Sequence, residues 1–271
     1  MDDKKRVCIS FIGAGKAGVS LGAYFRSKGL EISGYLSRSR KSAISAAELT
    51  SSKAFTALSD LAAASDIIIV STPDGAIAEV WEELRKCDIR DRIVCHLSGS
   101  LSSDIFDGIA AKSSFGYSVH PMFAFSGKDG YFEGVEKACF TLEGAKEKLG
   151  EVREIFMHTG NRIFVIDKSK KALYHASNVM VSNLVTALLS IGTESFEKCG
   201  VKKEEAIEAL LPLIRGNIEN IAKKGFPGSL TGPVERNDTD TIMKHLDVME
   251  EDERLIYSLL TKKLAKLSKV K

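Results

Sequence analysis

Closely spaced cysteines are missing from this chain. Its five cysteines (Cys8, Cys87, Cys95, Cys139 and Cys199) are scattered, and no C-x-x-C occurs. An odd, dispersed set argues against a disulfide framework and predicts reduced, structural thiols in a cytosolic setting. Cys8, Cys95 and Cys139 sit in apolar runs and are expected to be buried. An excess of one charge is missing too: 38 basic against 36 acidic residues leave a net +2. No nucleic-acid partner is therefore expected. The lysines of TKKLAKLSKVK follow Glu250–Glu253 and read as one solvated amphipathic helix. No apolar run is long enough to span a bilayer, so no membrane span is expected. MDDKKR passes directly into an apolar strand, unlike a secretory leader, and a cytoplasmic location is expected. His96, His158 and His245 have no ligand-like partners in sequence, so no metal site is predicted. Internal repeats and low-complexity stretches are also missing.

What is present is an alternation. VCISFIGAG reads as a buried strand ending in glycines, followed by a helix over Lys16–Lys28 that Gly29 closes. EISGYLS (31–37) is a second strand, and 41–49 is helical. DIIIVSTP (66–73) is a continuous β-branched run, the mark of a strand buried on both faces. Asp74–Lys86 is helical, with Asp74 as a candidate cap. RIVCHLSG, SSFGYSVHP and KACFTLEG are further strands. A helix over Ala145–Thr159 and the strand Arg162–Ile166 close the series. Strands alternating with helices predict an α/β fold, a doubly wound parallel Rossmann sheet.

After Ile166 the strand signal stops. Lys168–Lys198 reads as one long helix and Lys202–Lys224 as a second. Phe226–Asp238 reads as the longest loop, with two more helices over Thr239–Met249 and Asp252–Ser268. The expected organisation is a dinucleotide-binding domain over residues 1–166 and an all-α domain over 167–271. The long helix is apolar on more than one side (Val179, Met180, Leu184, Val185, Leu188, Leu189), which suggests packing on a second subunit in a homodimer.

Gly13, Gly15 and Gly18 stand in G-x-G-x-x-G between a strand and a helix, with Ala14, Lys16 and Ala17 in the same loop. Alone this spacing is weak; in this context it has a mechanism. The first glycine permits the tight turn and the second leaves room for a pyrophosphate. The third lets helix and strand pack closely, and the helix N-terminus faces the phosphates. At the end of the second strand an NAD enzyme would place an acid for the ribose hydroxyls. Here stand Ser37, Arg38, Ser39 and Arg40, which suit a phosphate dianion. The expected cofactor is therefore NADP(H). Ser71, Thr72 and Pro73 end one strand, and Ser98 and Gly99 another; these small residues bound a pocket with room for the dihydronicotinamide.

Three further constellations bear on chemistry. His120 ends a strand in SVHPMFAF. Lys171, His175, Asn178 and Ser182 share one helix face, with Asn183 a little round from it. An apolar helix that turns Lys, His and Asn one way needs partners for them. Carbonyl or imine reduction would use such groups: Lys or His donates the proton and Asn holds the substrate. A solvated Lys171 and a satisfied core His175 are the bland alternative. Thr231 and Arg236 lie in LTGPVERND, where Arg236 could meet a substrate carboxylate or merely sit in a turn.

The ordered set GAGKAG, SRS, STPD, HLSGS, HPM, YHASN…SN and LTGPVERND resembles a family of bacterial Rossmann-like NADP oxidoreductases. These carry an all-helical C-terminal domain of formerly unknown function. The resemblance spans nearly the whole chain; the glycine loop is generic, while HPM, YHA and LTGPVxR-D together are specific. One branch is an alternative type of ketopantoate reductase in pantothenate synthesis. More distant relatives include conventional ketopantoate reductase, hydroxyisobutyrate dehydrogenase, prephenate dehydrogenase and pyrroline-carboxylate reductase. In several of these a Lys and an Asn stand four residues apart on this helix. Lys171 matches the Lys, but the fourth position on is His175, so the proton donor is Lys171 or His175. The family's LTGPVxRGD has glycine where this chain has Asn237, a residue that tolerates the left-handed conformation.

The resemblance implies NADPH-dependent reduction of a small oxo acid, with ketopantoate the best single substrate. His120, Asn178, Ser182, Asn183, Thr231 and Arg236 are then candidates to bind it. The alternatives are reduction of another small imino or hydroxy acid, a non-catalytic NADP(H)-binding sensor, or a deazaflavin cofactor.

Overall fold

The computed structural model describes residues 7–125, 127 and 132–268. The MDDKKR segment and the last three residues of the lysine-rich tail lie outside them. Within the described residues the chain divides into two compact units, Met1–Val179 and Met180–Lys271.

The first unit holds an eight-stranded sheet in the order β3-β2-β1-β4-β5-β6-β7-β8. Its strands are β1 (Cys8–Ile12), β2 (Glu31–Leu36), β3 (Lys53–Ala54), β4 (Ile67–Val70), β5 (Ile93–His96), β6 (Phe115–Pro121), β7 (Cys139–Gly144) and β8 (Arg162–Val165). The doubly wound Rossmann expectation holds, with two additions. The sequence gives no sign of β3, which has only two residues. β7 runs antiparallel to β6, while the other pairs are parallel.

The helices of this unit are α1 (Lys16–Ser27), α2 (Arg40–Leu49), α3 (Leu58–Ala63), α4 (Asp74–Leu84) and α5 (Leu149–Met157), with α6 (Lys171–Val181) at its end. The continuous apolar run of β4 serves both faces of the sheet. Ile67 and Ile69 join a core with Phe11, Phe25 and Phe156. Ile68 and Val70 join a second core with Trp81, Leu84 and Phe106. A strand buried on both sides has no polar face to show, which is why its sequence does not alternate. The order β2-β1-β4 puts the carboxyl ends of β1 and β4 side by side at the topological switch, where ligands bind in such sheets.

Four expectations are corrected here. Asp74 is the first residue of α4, with Pro73 at the cap position and no side-chain cap. None of the five cysteines is in a disulfide, but Cys8 and Cys139 are only half-buried and Cys199 is exposed. Residues 168–198 do not form one helix: α6 ends at Val181, Ser182 is non-helical (φ −121°, ψ −82°), and α7 (Asn183–Lys198) follows. By length and composition alone, the segment Lys168–Lys198 also contains an 18-residue stretch, of mean hydropathy 1.3, that is apolar enough to cross a membrane. That corrects the expectation that no such stretch exists, because the Val, Leu and Ile residues outweigh the interspersed Ser, Asn and Thr in the mean.

The second unit consists of helices. α8 (Lys203–Ser229) kinks at Gly225 (φ 69°) and continues past the point where the sequence predicts a loop. α9 (Thr239–Asp247) begins on an Asp238 cap that accepts from the Thr241 N–H, and α10 (Glu251–Ser268) ends the described chain. Asn237 adopts φ 54° in the turn before α9, the left-handed conformation anticipated for it.

Candidate functional site

The glycine loop is fixed by its neighbours. The Gly13 N–H donates to Leu36 O at 2.8 Å, which ties the loop to the end of β2. Gly13 has φ 116°, and a Cβ there would lie 2.9 Å from Ser71. The Ser71 hydroxyl donates to Gly13 O at 3.0 Å, and a Cβ on Gly18 would strike the same hydroxyl. Gly13 and Gly18 are therefore glycines because Ser71, at the end of β4, fills the space. Gly15 differs: a Cβ there would meet nothing within 4 Å. Close packing does not account for this glycine, whereas close approach of a ligand would. No side chain caps α1, and its first N–H groups have no intrahelical acceptor. Thr72 Oγ1, nearby in the chain, is buried and without a hydrogen-bond partner.

At the end of β2, Ser39 caps α2 by accepting from the Ser42 N–H at 3.2 Å. Ser37 is half-buried, while Arg38 and Arg40 are exposed. Neither arginine forms an ion pair among the described residues. A cleft of about 330 Å³ between the glycine loop and α2 is lined by Ala14, Val19, Lys41, Ser42, Ser45, Ala46 and Leu49. Lys41 and Ser42, next in the chain after the predicted Ser37–Arg40, add to its polar rim. An uncapped helix N-terminus, an open Gly15 and unpaired arginines with no acid at the strand end fit a dinucleotide that carries an extra phosphate.

The second half of the site is built on β5, β6 and β7 under α6. Ser98 and Ser100 both donate to Asp74 Oδ2 at 2.7 Å, which fastens the loop after β5 to the start of α4. His96 is fully buried and braces the same loop. Its Nδ1 accepts from the Ser98 N–H at 3.2 Å, leaving Nε2 to donate to Ser102 O at 3.2 Å. Burial pushes His96 down to about 4, so the ring is neutral. These contacts make His96 and Asp74 the scaffold of the loop.

Strand register aligns the next groups. Ser118 on β6 is paired with Glu143 on β7, and His120 with Thr141. Alternate residues of a strand share a face, so the four form two adjacent rows. α6 places one side chain over each residue of the β6 row. Lys171 Nζ donates to Ser118 Oγ at 2.6 Å, and Tyr174 OH lies 2.6 Å from His120 Nδ1. Lys171 is only 3% exposed. Burial pulls its ammonium down to about 8, against the opposing pull of Glu143 and Asp74. Glu143 is itself buried and accepts from Ser103 N (2.8 Å) and Ser103 Oγ (2.7 Å). His120 is pushed down to about 4 by burial, then by Lys171 and His175.

Gly99 lies under two imidazoles. A Cβ there would fall 2.7 Å from His175 Nδ1 and 2.8 Å from His120 Nε2. His175 Nδ1 is buried and has no hydrogen-bond partner. Two ring nitrogens thus converge beside a residue that has no side chain. Asn178 lies on the same face of α6, one turn further on.

Of the predicted residues, the structure gathers Gly99, His120, Lys171 and His175 in one place within the first unit. Ser182, Asn183, Thr231 and Arg236 belong to the second unit; there Ser182 Oγ donates to Asn183 Oδ1 at 3.1 Å. Sequence reading missed Ser118, Glu143, Asp74 and Tyr174. Only Tyr174 carried a signal, since residues 171, 174, 175 and 178 follow helical spacing.

Residues 2–121 match the Rossmann-like domain, and residues 138–264 match a domain of unknown function, DUF2520. A search of curated proteins found no match. Among solved structures, the chain is similar to protein TM1727 from Thermotoga maritima, with 29% identity, 97% of this chain and 98% of that one covered, and a TM-score of 0.78. It is also similar to BF3122 from Bacteroides fragilis, named as a candidate NADP oxidoreductase, with 22% identity, coverages of 96% and 98%, and a TM-score of 0.76. A third is the Plasmodium falciparum pyrroline carboxylate reductase with NADP bound, with 15% identity, 98% of each chain covered, and a TM-score of 0.66.

Proposed function

We propose that this chain, which belongs with the Rossmann-like proteins that carry the DUF2520 domain, is an NADPH-dependent reductase of a small oxo acid. Ketopantoate is the first substrate to test. The observation that carries the reading is a buried lysine with a near-neutral pKa, Lys171, beside two imidazoles at Gly99, in the unit that holds the dinucleotide loop. When bound, NADPH supplies the hydride to the substrate carbon. The backbone from Gly13 to Gly18 holds its pyrophosphate. Ser37, Arg38, Ser39 and Arg40 hold the extra phosphate.

Lys171 is charged at neutral pH and close to losing its proton, which suits a general acid. Ser118 fixes where the ammonium sits. His120, His175 and Asn178 receive the substrate's polar groups. A small imino acid is the alternative substrate, supported by the likeness of the fold to pyrroline carboxylate reductase.

The protein is further proposed to act as a homodimer. In the second unit only Thr193 and Ala206 are fully buried among the described residues. Leu184, Leu188, Leu211, Leu255, Leu259 and Leu264 remain exposed. Ninety-odd residues with so little interior need apolar cover from elsewhere, and a second copy presents the same surface.

The test follows loss of the dihydronicotinamide absorbance with ketopantoate and with pyrroline carboxylate, using NADPH and NADH in parallel. Turnover that needs NADPH, vanishes in Lys171→Ala and leaves NADPH affinity intact supports the reading. Loss in His175→Ala but not in Lys171→Ala reassigns the proton donor. Tight NADPH binding with no turnover on any oxo or imino acid discards the reductase and leaves a sensor.

A further inference from the structure

Tyr174 is unexplained by the chemistry above, yet it makes one of the shortest side-chain contacts of the site, 2.6 Å to His120 Nδ1. The rings meet edge to face with centroids 5.7 Å apart. The far nitrogen of the imidazole, Nε2, points to Gly99, where His175 Nδ1 also points without a partner.

We propose that Tyr174 is a positioning residue that locks His120 in the Nε2–H tautomer, so that His120 presents an N–H beside Gly99 to an oxygen of a small carbonyl or carboxylate ligand. A phenol has one proton and an imidazole in the neutral state has one. Burial raises the Tyr174 phenol, with Thr141 and Asn178 opposing, so the hydroxyl keeps its proton. The His120 ring is neutral at physiological pH. Of the two directions open to this contact, phenol to imidazole is the stronger, because the phenol is the better acid and the bare imidazole nitrogen the better base; the hydroxyl therefore donates to Nδ1 and the ring proton stands on Nε2. The tautomer is set by the bond the other nitrogen makes. Gly99 completes the device, since any side chain there would occupy the place where the two nitrogens converge.

The identity of the ligand rests on the reductase reading; the tautomer does not. The experiment is 15N–1H correlation NMR on histidine-labelled full-length protein at neutral pH. The wild type is expected to show a bare Nδ1 and a protonated Nε2 for His120. Tyr174→Phe should show interconverting tautomers while NADPH affinity stays unchanged. Added ketopantoate should shift the Nε2 resonance in the wild type. Turnover should fall roughly five- to tenfold in Tyr174→Phe, the worth of about one oriented hydrogen bond. In a His120→Gln background, whose amide can mimic the Nε2 donor, Tyr174→Phe should have no further effect. An Nδ1–H tautomer in the wild type, or an unchanged tautomer in Tyr174→Phe, overturns the proposal. The expected tautomer pattern with no response to any oxo acid keeps the lock and overturns the ligand assignment and the reductase reading together.

Discussion

Gly99→Ala adds one methyl group at the point where the site is tightest. That methyl carbon would lie 2.7 Å from His175 Nδ1 and 2.8 Å from His120 Nε2. Comfortable contact needs about 3.5–4.0 Å, so one or both rings must retreat by roughly 1 Å. His120 cannot move freely, because Tyr174 holds it and its strand is paired on both sides. His175 has no hydrogen bond at Nδ1 to hold its ring, so it is the ring expected to turn away, carrying its nitrogen off the point beside Gly99. Overpacking of this kind costs about 1–3 kcal/mol of stability, or a few degrees in melting temperature. The functional cost is larger, because a misplacement of about 1 Å lowers turnover on the order of a hundredfold. The methyl group points at the histidines, so NADPH affinity should change little. The assay pairs steady-state NADPH oxidation with a fluorescence titration of NADPH and a thermal melt. A variant that melts within a few degrees of the wild type and binds NADPH normally, yet turns over at the full rate, would refute the placement of chemistry at Gly99.

Replacing Arg38 and Arg40 together by Ala should weaken NADPH binding about tenfold or more per lost charge-assisted hydrogen bond and leave NADH binding unchanged; parallel titrations with the two cofactors check this. Lys171 predicts two pH effects. Turnover should decline as pH rises through about 8, where the ammonium loses its proton, and a pH profile of kcat/KM reads this limb. The folded pKa lies below the unfolded one, so the unfolded chain binds more protons between about 8 and 10.5, and stability rises with pH across that window. Below it the full penalty of the buried charge applies. Lys171→Met should accordingly raise stability at pH 7 by on the order of 3 kcal/mol or less, read as a higher melting temperature, while abolishing turnover. Light scattering should give twice the chain mass; a monomer mass would remove the dimer proposal.

The strand-helix alternation, the glycine loop and the missing acid at the end of β2 were all readable without coordinates. Each is a local pattern, written in neighbouring residues by one rule of spacing or chemistry. The continuous apolar run of β4 reports burial on both faces because no position in it is polar. Asn237 could be read the same way, since few residues tolerate its backbone conformation. Local reading misjudged the ends and breaks of elements. Ser182 interrupts an apolar helix by its backbone, and α8 passes through Gly225 and Pro227 where composition suggests a loop.

The site itself depended on tertiary structure. Lys171 stands 53 residues from Ser118, and Tyr174 54 from His120. Glu143 reaches this group only because β7 reverses direction and pairs in one particular register with β6. No spacing in the chain encodes that register, since it is set by how strands and helix pack together. The sequence by itself determined that a dinucleotide-type sheet would form and which polar residues α6 would turn to one side. Only the folded chain decided what they meet there, because burial, partner and pKa are properties of a neighbourhood rather than of a residue.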